Sequence, residues 1–274
     1  MSEAIRAAVI GHPIKHSKSP IIHSHWIAHY GLSGSYEAID IAPEDLQTRT
    51  AQLAADGFAG FNVTIPHKEA IFKLCDEVDE KARLIGAVNT VKIEHGKLYG
   101  TNTDAFGFIE NIKQSAPEFD FTRGPAAILG AGGAARAVIY GLLQEGVPHI
   151  TITNRTRDKA ETLAAMAPGK ISVVDWNARN DAMKDCALIV NTTALGMSGK
   201  DPLDVSLGAA PDDALVTDIV YVPLMTDLLK QAKIKQLQYV TGIGMLLHQA
   251  RPAFHLWFGV MPSVTPELEA KVLA

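Results

Sequence analysis

Residues 126–136 read Ala126-Ala127-Ile128-Leu129-Gly130-Ala131-Gly132-Gly133-Ala134-Ala135-Arg136: a short apolar run, a glycine-rich turn, and the start of a helical pattern that continues to Gln144. An apolar run bounded by glycine reads as a buried strand. Glycines in such a turn let backbone N–H groups approach a pyrophosphate closely, and the helix N-terminus adds partial positive charge. The segment therefore predicts the strand, turn and helix of a dinucleotide-binding unit, with Gly130, Ala131, Gly132, Gly133 and Ala134 against the cofactor. An ordinary tight turn is the alternative for a glycine run taken alone.

Downstream the alternation continues: strand 149–153, helix Arg157 to Ala167, strands 171–176, 187–193 and 214–221, helix Pro223 to Lys233, strand 238–242. This is the layout of a doubly wound parallel sheet. At the end of the second strand, 24 positions after Gly130, NAD enzymes usually place an acidic residue on the ribose hydroxyls, whereas this chain has Asn154-Arg155-Thr156, with Lys159 one turn later. A carboxylate repels a 2′-phosphate; a guanidinium binds it through paired, charge-assisted hydrogen bonds and stacks on adenine. The expected cofactor is NADP. An ordinary solvated helix start is the other reading of Arg155 and Lys159, but cations at a helix N-terminus oppose its dipole.

Upstream, β-branched runs again alternate with helical patterns: strand Arg6 to Gly11, helix Ser19 to Leu32, strand Ser35 to Ile41, helix Pro43 to Asp56, strand Gly60 to Thr64, and helices Pro66 to Leu74 and Glu77 to Ile85. From Ala87 to Thr103 the pattern becomes strand, His95-Gly96 turn, strand, which predicts a hairpin. A helix from Ala105 to Gln114 leads to a polar loop at Arg123-Gly124-Pro125, where the chain is expected to cross into its second half. Gly244 to Ala274 is helical and partly apolar; Trp257 and Phe258 need cover, which the first domain would supply.

Composition limits the function. The 274 residues are 47% hydrophobic and 20% charged, enough to bury a large core. A formal charge of −5, with cations scattered along the chain, gives no footprint for nucleic acid or anionic membrane. Small molecules are the expected partners. Cys75 and Cys186 form no pair or framework, no segment reaches membrane-span length, and the first residues lack a secretory apolar stretch. A cytoplasmic protein is expected.

Two loops at strand carboxyl ends carry polar groups suited to a polyhydroxylated anion: His16-Ser17-Lys18-Ser19-Pro20 and Asn62-Val63-Thr64-Ile65-Pro66-His67-Lys68. Ser19-Pro20 also reads as a helix cap and first turn. Lys68 and Asp104 are the candidates for acid–base chemistry, although Asp104, where hairpin gives way to helix, has a capping reading too. His25 and His29 share i, i+4 spacing but lack the companions of a helix-borne metal motif, so no metal is expected.

Taken together, these motifs resemble the shikimate dehydrogenase family over essentially the whole chain: Ser17-Lys18-Ser19-Pro20; Asn62-Val63-Thr64 with Pro66 and Lys68; Asn89-Thr90; Asn102-Thr103-Asp104; the turn from Gly130; Asn154-Arg155-Thr156; Asn191-Thr192-Thr193; Asp218 with Tyr221; and Gly242-x-Gly244-Met245-Leu246 leading to Gln249. Their joint occurrence in order is far more specific than any single motif. Ala105 departs from the Gly that often follows the Asp, and Lys159 stands where some members have Arg.

The resemblance implies an α/β fold of two domains. Residues 1–105 with 243–274 would bind substrate, residues 106–242 would form a Rossmann-like NADP-binding domain, and the C-terminal helices would return to the first domain. It implies Lys68 and Asp104 as the catalytic pair, and substrate contacts from Ser17, Ser19, Thr64, Asn89, Asp104, Tyr221 and Gln249. Cofactor contacts would come from the glycine turn, Asn154, Arg155, Thr156, Lys159, Thr192, Gly242 and Met245. The implied reaction is the reversible NADPH-dependent reduction of 3-dehydroshikimate to shikimate, on the route to aromatic amino acids, by a monomer or homodimer. The alternatives are a quinate/shikimate dehydrogenase with relaxed substrate or cofactor choice and a non-catalytic NADP-binding sensor.

Overall fold

The computed structural model describes residues 4–274, which divide into two compact units: the chain up to Asp104 with Leu247–Ala274, and Ala105–Leu246. The first unit opens with β1 (Ile5–Gly11), α1 (Ser19–His29), β2 (Gly34–Asp40), α2 (Leu46–Ala55), β3 (Gly60–Val63) and α3 (Lys68–Leu74). It continues with β4 (Glu77–Val78), α4 (Glu80–Ile85), β5 (Thr90–Glu94) and β6 (Lys97–Thr101).

The strands form one mixed sheet in the order β2-β1-β3-β5-β6-β4. β1 runs parallel to β2 and β3, whereas β3–β5 and β5–β6 are antiparallel. The central strands β1 and β3 are near-continuous apolar runs because both faces are covered; Ala8, Ile10, Phe61 and Val63 share a core with Ile41, Leu46, Leu53, Ile71 and Val91. The hairpin turns at His95 and Gly96, at φ 52° and 76°, the two consecutive left-handed residues of the turn whose twist matches paired strands. The expected helix from Glu77 is instead a two-residue strand followed by α4. Glu77 and Val78 pair with β6, and the Asp79 carboxylate accepts from Ala82 N at 2.8 Å, so the cap fixes the helix start after it.

The second unit comprises α5 (Asp104–Ser115) from Ala105 onward, β7 (Ala126–Leu129), α6 (Gly133–Gln144), β8 (Ile150–Asn154), α7 (Arg157–Ala164), β9 (Ile171–Asp175), β10 (Leu188–Asn191), β11 (Leu215–Asp218), α8 (Asp227–Ile234) and β12 (Gln238–Val240). Its six strands are all parallel in the order β12-β11-β10-β7-β8-β9. The order reverses between β7 and β10, and such a switch point opens a crevice at the strand carboxyl ends.

The chain enters this unit earlier than the loop at Arg123-Gly124-Pro125 suggested. Phe108, Ile109 and Ile112 of α5 are buried with Ile128, Val138 and Ile152, so the apolar stripe of that helix already belongs to the second core. β10 and β11 are shorter than their apolar patterns because each ends in a side chain that turns back on the backbone. Asn191 Oδ1 accepts from Thr193 N at 3.0 Å and Asp218 Oδ1 from Val220 N at 2.9 Å. α8 begins at Asp227 rather than Pro223, where the Thr226 side chain caps Leu229 N.

α9 (Ile243–Phe258), from Leu247, and α10 (Pro266–Leu273) complete the first unit. Trp257 Nε1 donates to Val91 O and Trp26 Nε1 to Ser263 O, both at 3.1 Å. A side-chain carbon on Gly60 would lie 2.2 Å from the Trp257 nitrogen, which explains a glycine at the start of β3. The expected return of the C-terminal helices to the first domain is therefore observed. No helix among the described residues is long and apolar enough to cross a membrane.

Candidate active site

β3 delivers the loop that ends at Lys68. The His67 ring is buried with Nε2 at 2.7 Å from Ile41 O, and His67 O accepts from Ile71 N, so Lys68 becomes the first residue of α3. Lys68 Nζ donates to Asp104 Oδ2 at 2.6 Å, with side chains 27% and 10% exposed. This is a short charge-assisted bond, and one member remains accessible. The other Asp104 oxygen accepts from Asn89 Nδ2 at 2.7 Å. Both carboxylate oxygens thus serve side chains brought by other elements, while Asn102 Oδ1 accepts from Asp104 N at 2.9 Å.

Around this pair the first unit gathers further predicted residues. Asn89 Nδ2 also lies 3.0 Å from Thr103 Oγ1 and 3.4 Å from Gln249 Oε1, and Thr103 Oγ1 is 3.4 Å from the same Gln249 oxygen. Ser17 Oγ accepts from Ser19 N at 3.4 Å. Ser19 is a buried first residue of α1 and the cap position is Lys18, without a side-chain cap bond; the capping reading of Ser19 does not hold. The Thr64 methyl packs on Gly11, where a side-chain carbon would approach it to 2.5 Å. Tyr221 lies in the second unit, where burial raises its phenol above the ordinary range.

In the second unit, Gly130 has φ +109°, and a side-chain carbon there would lie 2.7 Å from Thr193 Cγ2 and 2.8 Å from Thr192 Oγ1. This glycine is required by the fold. Gly132 and Gly133 are different: a carbon added at either meets nothing within 4 Å, and Gly132 caps α6 without any side-chain bond. The turn therefore presents an open amide end. Asn154 Oδ1 accepts from Ala131 N at 3.2 Å and its Nδ2 donates to Thr156 O at 2.8 Å, which ties β8 to the turn.

The side chains of Arg155 and Lys159 are exposed and make no hydrogen bond or ion pair among the described residues, whereas neighbouring Arg157 is held by Glu161 and Asp175, each at 2.7 Å. Glu161 and Asp175 are thus occupied by Arg157, leaving the Arg155 and Lys159 charges unpaired near the glycine turn. A cavity of about 210 Å³ is lined by Gly130, Ala131, Gly132, Asn154, Arg155, Trp176 and Thr192–Leu195. These residues fit a dinucleotide carrying an additional phosphate. Sequence reading missed Trp176, whose only signal was an aromatic side chain just after β9. Gly133, Ala134, Thr156, Lys159, Gly242 and Met245 do not line the cavity. Gly242 has a packing reason, since a side-chain carbon would lie 2.5 Å from Ile219 O, and half-buried Met245 packs on the apolar core. Burial pushes the Cys75 thiol up to about 12 and the Cys186 thiol up to about 11, which disfavours the nucleophilic thiolate at both.

Family profiles match three stretches: the shikimate dehydrogenase substrate binding domain at residues 9–91, shikimate / quinate 5-dehydrogenase at 112–198, and the shikimate 5'-dehydrogenase C-terminal domain at 242–266. A protein of Paramagnetospirillum magneticum named shikimate dehydrogenase (NADP(+)) is 51% identical over 269 residues, 98% of each chain. The crystal structure of shikimate 5-dehydrogenase from Thermus thermophilus in complex with NADP(H) and shikimate superposes with a TM-score of 0.87 at 38% identity, covering 98% of both chains. Quinate dehydrogenase from Corynebacterium glutamicum in complex with NAD gives 0.92 at 30% identity, covering 99% of both. The order of motifs, the paired Lys68 and Asp104, the open glycine turn and these likenesses agree: the chain belongs to the shikimate dehydrogenase family.

Proposed function

We propose that this chain catalyses the reversible, NADP-dependent interconversion of 3-dehydroshikimate and shikimate, as a cytoplasmic enzyme of aromatic amino acid biosynthesis. The observation that carries the reading is the Lys68–Asp104 pair at 2.6 Å, part-buried and bordered by Asn89 and Gln249. Residues 1–105 with 243–274 hold the substrate and residues 106–242 the cofactor. Ser17, Ser19, Thr64, Asn89, Asp104, Gln249 and Tyr221 hold the ring carboxylate and hydroxyls.

NADPH, when bound, supplies the hydride that reaches the ring carbonyl carbon. As negative charge grows on the carbonyl oxygen, Lys68 Nζ stabilises it and transfers a proton to it; the amine then regains a proton from solvent. In the reverse direction the same nitrogen takes the hydroxyl proton. Such acid–base assistance contributes about 10²–10⁴-fold. Asp104 fixes the ammonium and accepts a hydrogen bond from a substrate hydroxyl.

On the cofactor side, the amides around Gly132 and Gly133 receive the pyrophosphate, Asn154 and Thr156 the ribose, and Arg155 with Lys159 the 2′-phosphate. Trp176, which lines the same cavity as Arg155 and carries the Arg179 guanidinium 5.1 Å from its ring centroid, would pack against the adenine. Thr192, Gly242 and Met245 border the rest of the dinucleotide. A second reading, oxidation of quinate as well as shikimate, is favoured by the likeness to a quinate dehydrogenase.

The test is a set of initial rates with shikimate and quinate, each offered with NADP+ and NAD+. Shikimate with NADP+ should be fastest. Quinate turnover matching shikimate turnover would favour the second reading, and absence of turnover in all four would overturn both.

A further inference from the structure

Behind the Lys68–Asp104 pair lies a buried chain of hydrogen bonds whose outer members have no role in the reading above. Tyr36 O–H donates to Asn62 Oδ1 at 2.7 Å, Asn62 Nδ2 lies 3.0 Å from Thr90 Oγ1, and Thr90 Oγ1 lies 3.0 Å from Asn89 Oδ1. Asn89 Nδ2 then meets Asp104 Oδ1 at 2.7 Å. β3 and β5 set this up by register, since Asn62 pairs with Thr90 across the antiparallel ladder.

Donor chemistry fixes the direction. An amide nitrogen only donates and a hydroxyl has one hydrogen. Thr90 therefore accepts from Asn62 and spends its hydrogen on Asn89 Oδ1. That oxygen also receives Thr103 N at 2.8 Å and Thr103 Oγ1 at 3.2 Å, so the Asn89 carboxamide has one orientation, with nitrogen toward Asp104. Along this path each member donates to the next in the direction of the carboxylate, while Asn62 Nδ2 also reaches Asn89 O at 3.3 Å.

The far end is as firmly held. Tyr36 stacks on His23 with ring centroids 3.9 Å apart and planes 3° from parallel, and both residues are buried. Neither His23 ring nitrogen has a partner of hydrogen-bond geometry, so the stack contributes shape rather than exchangeable bonds. Burial raises the Tyr36 phenol well above its ordinary range, the Ser19 side chain opposing, and it remains a donor across the working pH range.

We propose that Thr90 is a positioning residue for the reaction: its hydroxyl sets the Asn89 carboxamide, and through it the Asp104 carboxylate that aims Lys68, while Tyr36 fixes Asn62 from behind. This rests on the assignment of Lys68 and Asp104 to proton transfer. Thr90 is fully buried and acts only through its neighbours.

The experiment compares wild type, Thr90→Val, Thr90→Ser and Tyr36→Phe, measuring kcat, KM for shikimate, KM for NADP+ and melting temperature. Thr90→Val keeps the branched shape and removes the hydroxyl; kcat should fall about tenfold while KM for NADP+ stays within about twofold. Thr90→Ser, which restores the hydroxyl and loses a methyl, should recover kcat to within about threefold of wild type. Valine with wild-type kcat, or serine as impaired as valine, overturns the proposal. Should the valine variant fail to fold, Tyr36→Phe decides: kcat about threefold lower at an unchanged melting temperature supports the chain, and unchanged kcat overturns it. An inactive wild type would instead refute the assigned reaction.

Discussion

The two units prepare for a ligand in opposite ways. In the first, the polar side chains are already committed to one another: Lys68 to Asp104, Asp104 to Asn89, Asn89 to Thr90 and Thr103, all within about 3 Å. In the second, the groups suited to a ligand are uncommitted: Gly132 and Gly133 face open space and the Arg155 and Lys159 side chains have no partner among the described residues. The difference fits the proposed assignment of the substrate to the first unit and the cofactor to the second. A small ring bearing hydroxyls demands fixed directions, which neighbouring side chains supply before it arrives. A pyrophosphate and a 2′-phosphate demand amides and charge at close approach, which bare backbone and exposed cations provide.

Substitution separates the two strategies. Lys68→Ala removes the group proposed to transfer the proton, so turnover should drop by about 10³-fold. NADP+ affinity, measured by titration, should stay within about twofold because Lys68 is absent from the second unit. Arg155→Asp reverses charge on the open side; kcat/KM with NADP+ should fall about 10²-fold and with NAD+ by far less, read from initial rates with both cofactors. Equal losses would place the 2′-phosphate elsewhere.

The glycines sharpen the contrast within one turn. Gly132→Val enters protein-free space, so the melting temperature should change little while NADP+ affinity weakens about tenfold. Gly130→Val meets Thr193 Cγ2 and a positive φ, so it should lower the melting temperature as well.

The smallest expected effect concerns pH. Burial lowers the His23 imidazole to about 3, an effect the Asn62 side chain opposes, and lowers His248 to about 4, to which Arg251 adds. The unfolded chain binds these protons near 6.5 and the folded chain does not, so stability is full above that pH and lost as pH falls through the interval. Each unit of pH below 6.5 costs about 1.4 kcal/mol per histidine, or about 2 kcal/mol for His23 at about pH 5. Urea midpoints at neutral and mildly acidic pH should show a shallower slope for His23→Phe than for wild type. An unchanged slope would mean that His23 protonates without unfolding.

The second unit was the more legible in the sequence, since one glycine turn followed by alternating elements predicts a doubly wound sheet. Local patterns misread ends: nothing in the apolar run of β11 announces that Asp218 will bend back on Val220, or that Glu77 and Val78 will pair as a strand rather than begin a helix. In the site, residues with distinctive chemistry, such as Lys68, Asp104 and Arg155, were readable as candidates. Thr90 and Tyr36 were not, because their importance lies in partners brought together across strands. Trp176 was hidden similarly, since only the pairing of β8 with β9 carries it to the pocket beside Arg155.

The central proposal is that this chain moves hydride directly between shikimate and NADP. It is tested by oxidising shikimate that carries deuterium on the carbon whose hydroxyl is oxidised to the carbonyl, and examining the reduced cofactor by mass spectrometry. The account predicts one deuterium in each NADPH formed. NADPH formed without the label, or no NADPH at all, would contradict it.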